Sequence, residues 1–444
     1  LLARSGTRAY LPIIVVAILM FCGASWQLFW TNTDAARYQC YALGFWLGSS
    51  GIHLLPVSQC HFLGLGNKVI PPFHLLPLEY PPLTLLIFSP GLLAPLAYYQ
   101  LFFAIVMALV AVFIYWLLLR YAPRGATLAF AFYMLVGAWG TAEGRFDLVP
   151  AALTLLCLFA AERKHWTYAY IALAFGFLLK IYPLLFLPAL FIAEQQDAQR
   201  FYIPQKPITA RTFPGEIWKT LRGIRYWRWK NTLIFFGIVI AVTGFFAIFD
   251  FQGAVVSQLS YFANRPVQVE STGSLILWLA TLFGYPVQVV YTYGSINIAS
   301  TLDGGVATFF EVLFVLGYTY SIYLHWRSKL DLLQAFIAIV LVFIVTGKVF
   351  SPQYLMWVIP LLAYAGAYNS FWLICWGLIS LLTTIIYPYL YTRTLNAIYA
   401  PYVPGFIEAV AIRNALLVFV TMAFLFSWFG TRNRKPALAA QEAR

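Results

Sequence analysis

The chain has 444 residues, of which 62% are hydrophobic, 19% aromatic and only 10% charged, with a formal net charge of +13. A water-soluble fold of this length needs more polar surface than that composition supplies, so a soluble globular protein is excluded. The basic balance would admit a nucleic-acid partner, but Lys and Arg held in the inner turns of a membrane protein produce the same excess, and no nucleic acid is expected.

Residues 10–30 form the first apolar run. It is long and lacks a small-residue cleavage site, so it is read as a span and not a signal peptide. Arg4 and Arg8 before it place the N-terminus inside. Residues 31–95 then form a first outer loop. Within it, 35–48 and 81–94 read as helices lying at the membrane surface, the second cut by Pro81, Pro82, Pro90 and Pro95. Cys40 and Cys60 share this loop, and a disulfide between them is possible if the loop is extracytoplasmic. Cys22, Cys157 and Cys375 fall in apolar runs, where a small buried hydrophobe is the default.

Spans are expected at 97–119, 125–141, 146–162, 166–180 and 182–194. Segment 195–230 is a basic inner loop in which Arg222, Arg225, Arg228 and Lys230 interleave with Trp218, Trp227 and Trp229. That mixture suits an interfacial helix on an anionic leaflet. After a span at 231–250, residues 251–305 form a second outer loop, with a short apolar helix near 273–284. Spans at 306–324, 331–348, 353–367, 369–390 and 406–429 bring the total to about twelve. The expected class is an all-α polytopic membrane protein, one membrane domain over 1–444, in the plasma membrane with both termini cytoplasmic. Most of the 28 Lys and Arg residues then lie inside, as the positive-inside rule requires.

The few outer charges sit beside Pro or Gly breaks. Asp34 follows the first span; its carboxylate suits a general base, and it is also placed to cap a helix. Glu79 and Tyr80 precede Pro81-Pro82. Arg145 and Asp147 stand in Gly144-Arg145-Phe146-Asp147. Lys180, Arg265 and Lys348 each end a helix or lie in an outer loop. Singly such cations are snorkelling anchors; together they suit a phosphate. Gln268 and Glu270 lie in Arg265-Pro266-Val267-Gln268-Val269-Glu270-Ser271, and Gln353 in Ser351-Pro352-Gln353. His53, His61 and His74 share the first loop, but their spacing matches no standard metal-ligand pattern, and no metal or other cofactor is expected.

Taken in order, the early loop Asp, Glu-Tyr-Pro-Pro-Leu-Thr, Gly-Arg-Phe-Asp-Leu-Val-Pro, Leu-Lys-Ile-Tyr-Pro-Leu, Arg-Pro-Val-Gln-Val-Glu-Ser and Gly-Lys-Val-Phe-Ser-Pro-Gln-Tyr resemble the GT-C membrane glycosyltransferases. More specifically, they resemble the glycosyltransferase 87 group, which includes polyprenol-phosphate-mannose-dependent mannosyltransferases. The resemblance covers roughly residues 10–430. It implies a GT-C fold and inverting transfer of a sugar, mannose above others, from a polyprenyl-phosphate donor to a glycolipid or cell-envelope glycan acceptor at the extracytoplasmic face. It implies Asp34 as general base, with Arg145, Lys180, Arg265 and Lys348 on the donor phosphate. Glu79, Tyr80, Asp147, Gln268, Glu270 and Gln353 would then contact substrate or position those cations. No Asp-x-Asp accompanies Asp34, so a divalent metal is not implied. A flippase of lipid-linked glycans is the alternative, and a polyprenyl-diphosphate-dependent polymerase a third reading. The near absence of charge in mid-helix argues against transport.

Overall fold

The computed structural model describes residues 7–25, 28–30, 33–66, 68–200, 202–203, 212–366 and 369–427. The chain is a predominantly helical membrane protein. In order come α1 (Leu11–Ala24), α2 (Asp34–Leu47), α3 (Tyr99–Tyr121), α4 (Ala126–Gly137), α5 (Leu148–Glu162), α6 (Trp166–Leu179), α7 (Leu187–Asp197), α8 (Phe213–Arg222), α9 (Lys230–Ala247), α10 (Ser257–Asn264) and α11 (Thr272–Ala280). After a hairpin follow α12 (Asp303–Trp326), α13 (Leu332–Thr346), α14 (Leu355–Gly366), α15 (Ser370–Thr384) and α16 (Phe406–Leu425).

Among the described residues, five helical stretches are long and apolar enough to cross a membrane: Leu96–Tyr121, Lys230–Ala247, Asp303–Trp326, Ser370–Arg393 and Phe406–Leu425. Their surfaces fit a hydrocarbon surround. Phe309, Val312, Val315 and Leu316 on α12 are each more than half exposed, as are Leu233, Ile240 and Phe245 on α9. A continuous apolar face of that kind is not tolerated in water. By contrast α13 is apolar on every side and buried from Ala335 through Val342. A helix of that pattern belongs in the centre of a helical assembly.

Helices form at each expected span, yet most are shorter than the apolar runs. The first stops at Ala24, and α4 stops at Gly137, before Trp139-Gly140. Pro183 turns the start of the expected 182–194 span into the 3-10 turn Tyr182–Phe186, after which α7 begins. The expected helix at 81–94 forms as one continuous helical stretch, Pro82–Leu93, α-helical only at Leu85–Phe88 and 3-10 at Pro82–Thr84 and Ser89–Leu93, where Pro82 and Pro90 interrupt the ladder.

The helical class carries one small addition. The second long loop holds an antiparallel sheet of β1 (Val267–Gln268), β2 (Gln288–Thr292) and β3 (Ser295–Ala299), in the order β1-β3-β2. Val289, Ile296 and Ile298 are buried, and so is Asn297, whose Nδ2 donates to the Thr292 carbonyl at 2.8 Å. Tyr293 and Gly294 both have positive φ, 51° and 65°, the requirement of a two-residue type I′ turn. A Cβ on Gly294 would stand 2.7 Å from Arg37 Nη1, so the hairpin tip lies directly over Arg37 of α2. The hairpin therefore brings the second long loop onto the first. A Cys40–Cys60 disulfide ties α2 to the turn after it, with S–S 2.04 Å and Cα atoms 5.7 Å apart.

Candidate functional site

Asp34 opens α2 without capping it. Thr33 is the cap: its Oγ1 accepts from the Ala36 N–H at 3.1 Å and donates to Gln100 Oε1 at 2.7 Å. The capping role considered for Asp34 is thus filled by its neighbour, and its carboxylate is left to the site. Three residues on, the same helix face presents Arg37, whose Nη1 lies 3.7 Å from Asp34 Oδ1. Arg145, from the segment between α4 and α5, pairs with Asp34 Oδ2. Arg37 Nη2 also meets Glu79 Oε1 at 2.6 Å, and Tyr261 Oη stands 3.1 Å from Glu79 Oε2 while contacting the Tyr293 carbonyl. The result is one continuous network, Arg145–Asp34–Arg37–Glu79–Tyr261, drawn from four separate segments. Burial alone would lower the pKa of Arg37, but Glu79 and Asp34 outweigh it and hold the guanidinium above its usual value. For Arg145 too, Asp34 outweighs the effect of burial.

Beside this network, Lys180 at the end of α6 donates to Asp147 Oδ1 at 2.6 Å, and Trp357 Nε1 donates to the same oxygen at 2.7 Å. The ammonium is walled by rings, with Phe146 at 4.8 Å, Trp357 at 5.4 Å and Tyr80 at 5.5 Å from its nitrogen. Such faces favour a cation where water is scarce. Asp147, itself buried, is the counter-charge that holds this ammonium among the rings. Lys180 also lies within electrostatic reach of Arg145 and Asp34, so the two groups share one region.

Arg265 follows α10. Its guanidinium lies 5.6 Å from the Tyr261 ring, and its Nε is buried without a hydrogen-bond partner. The same Tyr261 reaches Glu79, so Arg265 stands beside the network that holds Asp34. Among the described residues Arg265 makes no ion pair, unlike Arg145, Lys180 and Lys348. Lys348 pairs with Glu311 at 2.9 Å, and that acid is more than half exposed.

Gln268 and Glu270 are framework groups. The Gln268 N–H donates to the Lys348 carbonyl at 2.8 Å, and its Oε1 accepts from the N–H groups of Glu270 and Phe350, each at 3.2 Å. One side chain thereby staples the 265–271 loop to the 347–353 break. Glu270 is 1% exposed and fully engaged: Arg413 Nη1 reaches Oε2 at 2.8 Å, and Tyr391 donates to Oε1 at 2.9 Å. Arg413 Nη2 and Asn414 Nδ2 bond the Glu270 carbonyl as well, at 2.7 and 3.0 Å. Gln353 is buried and accepts from Ser351.

Asp34, Glu79, Tyr80, Arg145, Asp147 and Lys180 are therefore brought together, with Arg265 alongside. Gln268, Glu270, Lys348 and Gln353 form the adjoining layer. Sequence reasoning passed over Arg37, Tyr261, Trp357 and Arg413. Arg37 had a usable signal in its spacing from Asp34 on a predicted helix; the others join through contacts between distant segments. Among the described residues no group of three or more His, Cys, Asp or Glu side chains is placed to hold a metal. No protein-family model matches the chain, and no curated protein matches its sequence.

Proposed function

We propose that this protein is an inverting glycosyltransferase of the GT-C kind. It takes a sugar, with mannose first in order, from a polyprenyl-phosphate donor. It places that sugar on a lipid-linked or cell-envelope glycan acceptor. About twelve spans, cytoplasmic termini and an extracytoplasmic site complete the proposal. The Cys40–Cys60 pair supports that sidedness, since disulfides persist in oxidising compartments.

The observation that carries the reading is the position of Asp34 between Arg37 and Arg145, beside Lys180 and near Arg265, which makes no ion pair among the described residues. An acid set among cations at the ends of apolar helices fits a reaction in which one substrate gives up a proton and the other leaves as a phosphate. Donor phosphate competes for Arg145 and draws it from Asp34. Asp34 then takes the proton of the acceptor hydroxyl as that oxygen attacks the anomeric carbon. The bond from that carbon to the phosphate oxygen breaks, and its electron pair leaves with polyprenyl phosphate. Arg145, Lys180 and Arg265 stabilise the growing charge. Attack from the face opposite the phosphate inverts configuration. Arg37 and Glu79 keep Asp34 in place.

The test is transfer by purified protein from polyprenyl-phosphate mannose and glucose to candidate glycolipid acceptors, read by mass spectrometry. Asp34→Asn is expected to slow transfer by roughly 10²–10⁴-fold, the usual contribution of a positioned base. A folded Asp34→Asn protein with near-normal transfer would sink the assignment.

A further inference from the structure

A second charged cleft lies far from Asp34. It has a volume of about 580 Å³ and opens where α6 and α9 begin, between Trp166–Tyr168 and Trp229–Asn231. Lys180 closes the other end of α6, 14 residues on. At 1.5 Å per residue that is about 21 Å away, so the cleft is separate from the proposed reaction site.

Three cations line it, Lys164, Arg228 and Lys230, along with His165 and one acid, Glu194. Lys164 is paired with Asp197 at 2.7 Å. Arg228 and Lys230 make no ion pair among the described residues and are exposed. Neither α6 nor α9 has a side-chain cap, so both helix starts that line the cleft carry uncapped first-turn N–H groups. Trp166 and Trp229 add aromatic walls.

Buried polar groups hold this arrangement in shape. Gln195, fully buried, clasps the Arg228 backbone twice: Nε2 donates to its carbonyl at 3.1 Å, and Oε1 accepts its N–H at 2.7 Å. Next to it, Glu194 Oε1 accepts from Asn231 Nδ2 at 2.7 Å, and Thr167 donates to Asn231 Oδ1 at 2.9 Å. Two adjacent residues of α7 thus fix both the loop that carries Arg228 and the start of α9. The same loop carries Trp218, Ile224 and Tyr226, all exposed, which suits contact with a membrane surface.

We infer that this cleft binds the phosphodiester headgroup of a membrane lipid, with Arg228, Lys230 and the two helix N-termini on the phosphate. Its aromatic walls meet the glycerol end of the chains. The site acts apart from the proposed transfer reaction and does not depend on it.

Native mass spectrometry of the full chain in detergent tests this. The probes are phosphatidylglycerol, a diacylglycerol with the same chains but no phosphate, and glycerophosphoglycerol, the headgroup without chains. Arg228→Gln/Lys230→Gln is compared with Lys219→Gln/Arg222→Gln, which removes equal charge from α8, outside the cleft. Phosphatidylglycerol binding should fall roughly tenfold or more in the first variant and change little in the second. Binding of glycerophosphoglycerol with the same dependence would support the site with a soluble phosphodiester as its source. Equal binding of phosphatidylglycerol and diacylglycerol, or equal loss in both variants, would overturn the inference. Because Arg228 and Lys230 are exposed, the variant should melt like wild type, which separates lost binding from lost fold.

Discussion

Glu143 ties the stability of the fold to pH. It stands between α4 and α5, 1% exposed, with neither carboxylate oxygen hydrogen-bonded. Its surroundings are apolar: Ile13, Ala17 and Met20 of α1, and Met107, Ala108 and Ala111 of α3. Burial pushes its pKa from 4.5 up to about 8. At pH values below 4.5 the folded and unfolded chains both hold the proton. Between 4.5 and 8 only the folded chain holds it, so stability falls as pH rises, by about 1.4 kcal/mol per pH unit. The accumulated cost is about 3 kcal/mol at pH 7 and levels off near about 5 kcal/mol above pH 8. Glu143→Met fills the same space with an apolar chain that does not titrate. Thermal unfolding followed by tryptophan fluorescence, for wild type and variant in one detergent from pH 5 to 9, reads the difference. The variant should melt higher, with a gap that widens towards pH 8 and then holds. A gap that stays constant, or closes as pH rises, would refute the assignment.

Three other perturbations follow from the same geometry. Replacing Cys40 and Cys60 together with Ala should cost about 3 kcal/mol, from the loop closed by a sequence separation of 20, and reductant should destabilise wild type but not the variant. Arg413→Met leaves Glu270 buried and short of its main partner, and should cost about 3–5 kcal/mol; adding Glu270→Gln should recover much of it, as read by inactivation half-life. Arg265→Gln should raise the KM for a polyprenyl-phosphate sugar about tenfold, the worth of a charge-assisted hydrogen bond, whereas Lys348→Gln should change it little because Lys348 already has Glu311. Equal effects of the two would remove the distinction drawn between them.

Much of the helical plan was legible because apolar runs and charged turns are local signals. The Pro and Gly breaks marked Glu79, Arg145, Lys180 and Lys348 for the same reason. Pairing was not legible. Nothing local says that Trp357 reaches Asp147, or that Arg413 in a late helix neutralises Glu270. The hairpin was hidden for another reason: β2 and β3 are only five residues each, and their alternation is outweighed by the apolar helix before them. Thr33 took the capping role because its hydroxyl can accept from Ala36 and donate to Gln100 at once, which a carboxylate cannot do. Glu143 escaped notice because a single acid beside Gly144 reads as a loop residue, and only the packing of α1 against α3 removes it from water.

The brevity of the inner helices has a consequence for the bilayer itself. α4, α6 and α13 have 12, 14 and 15 residues, so they measure about 18–22 Å against a hydrocarbon slab of about 30 Å. The 24-residue α12 at the periphery measures about 36 Å. The breaks carrying Arg145, Lys180 and Lys348 follow the short helices. A helix shorter than the hydrocarbon slab leaves a mismatch of several ångströms to be taken up by a thinner bilayer or by neighbouring protein, whereas a longer one tilts. On the proposed reading, in which those cations receive a lipid phosphate, bilayer thickness would then become a control on how readily that headgroup arrives.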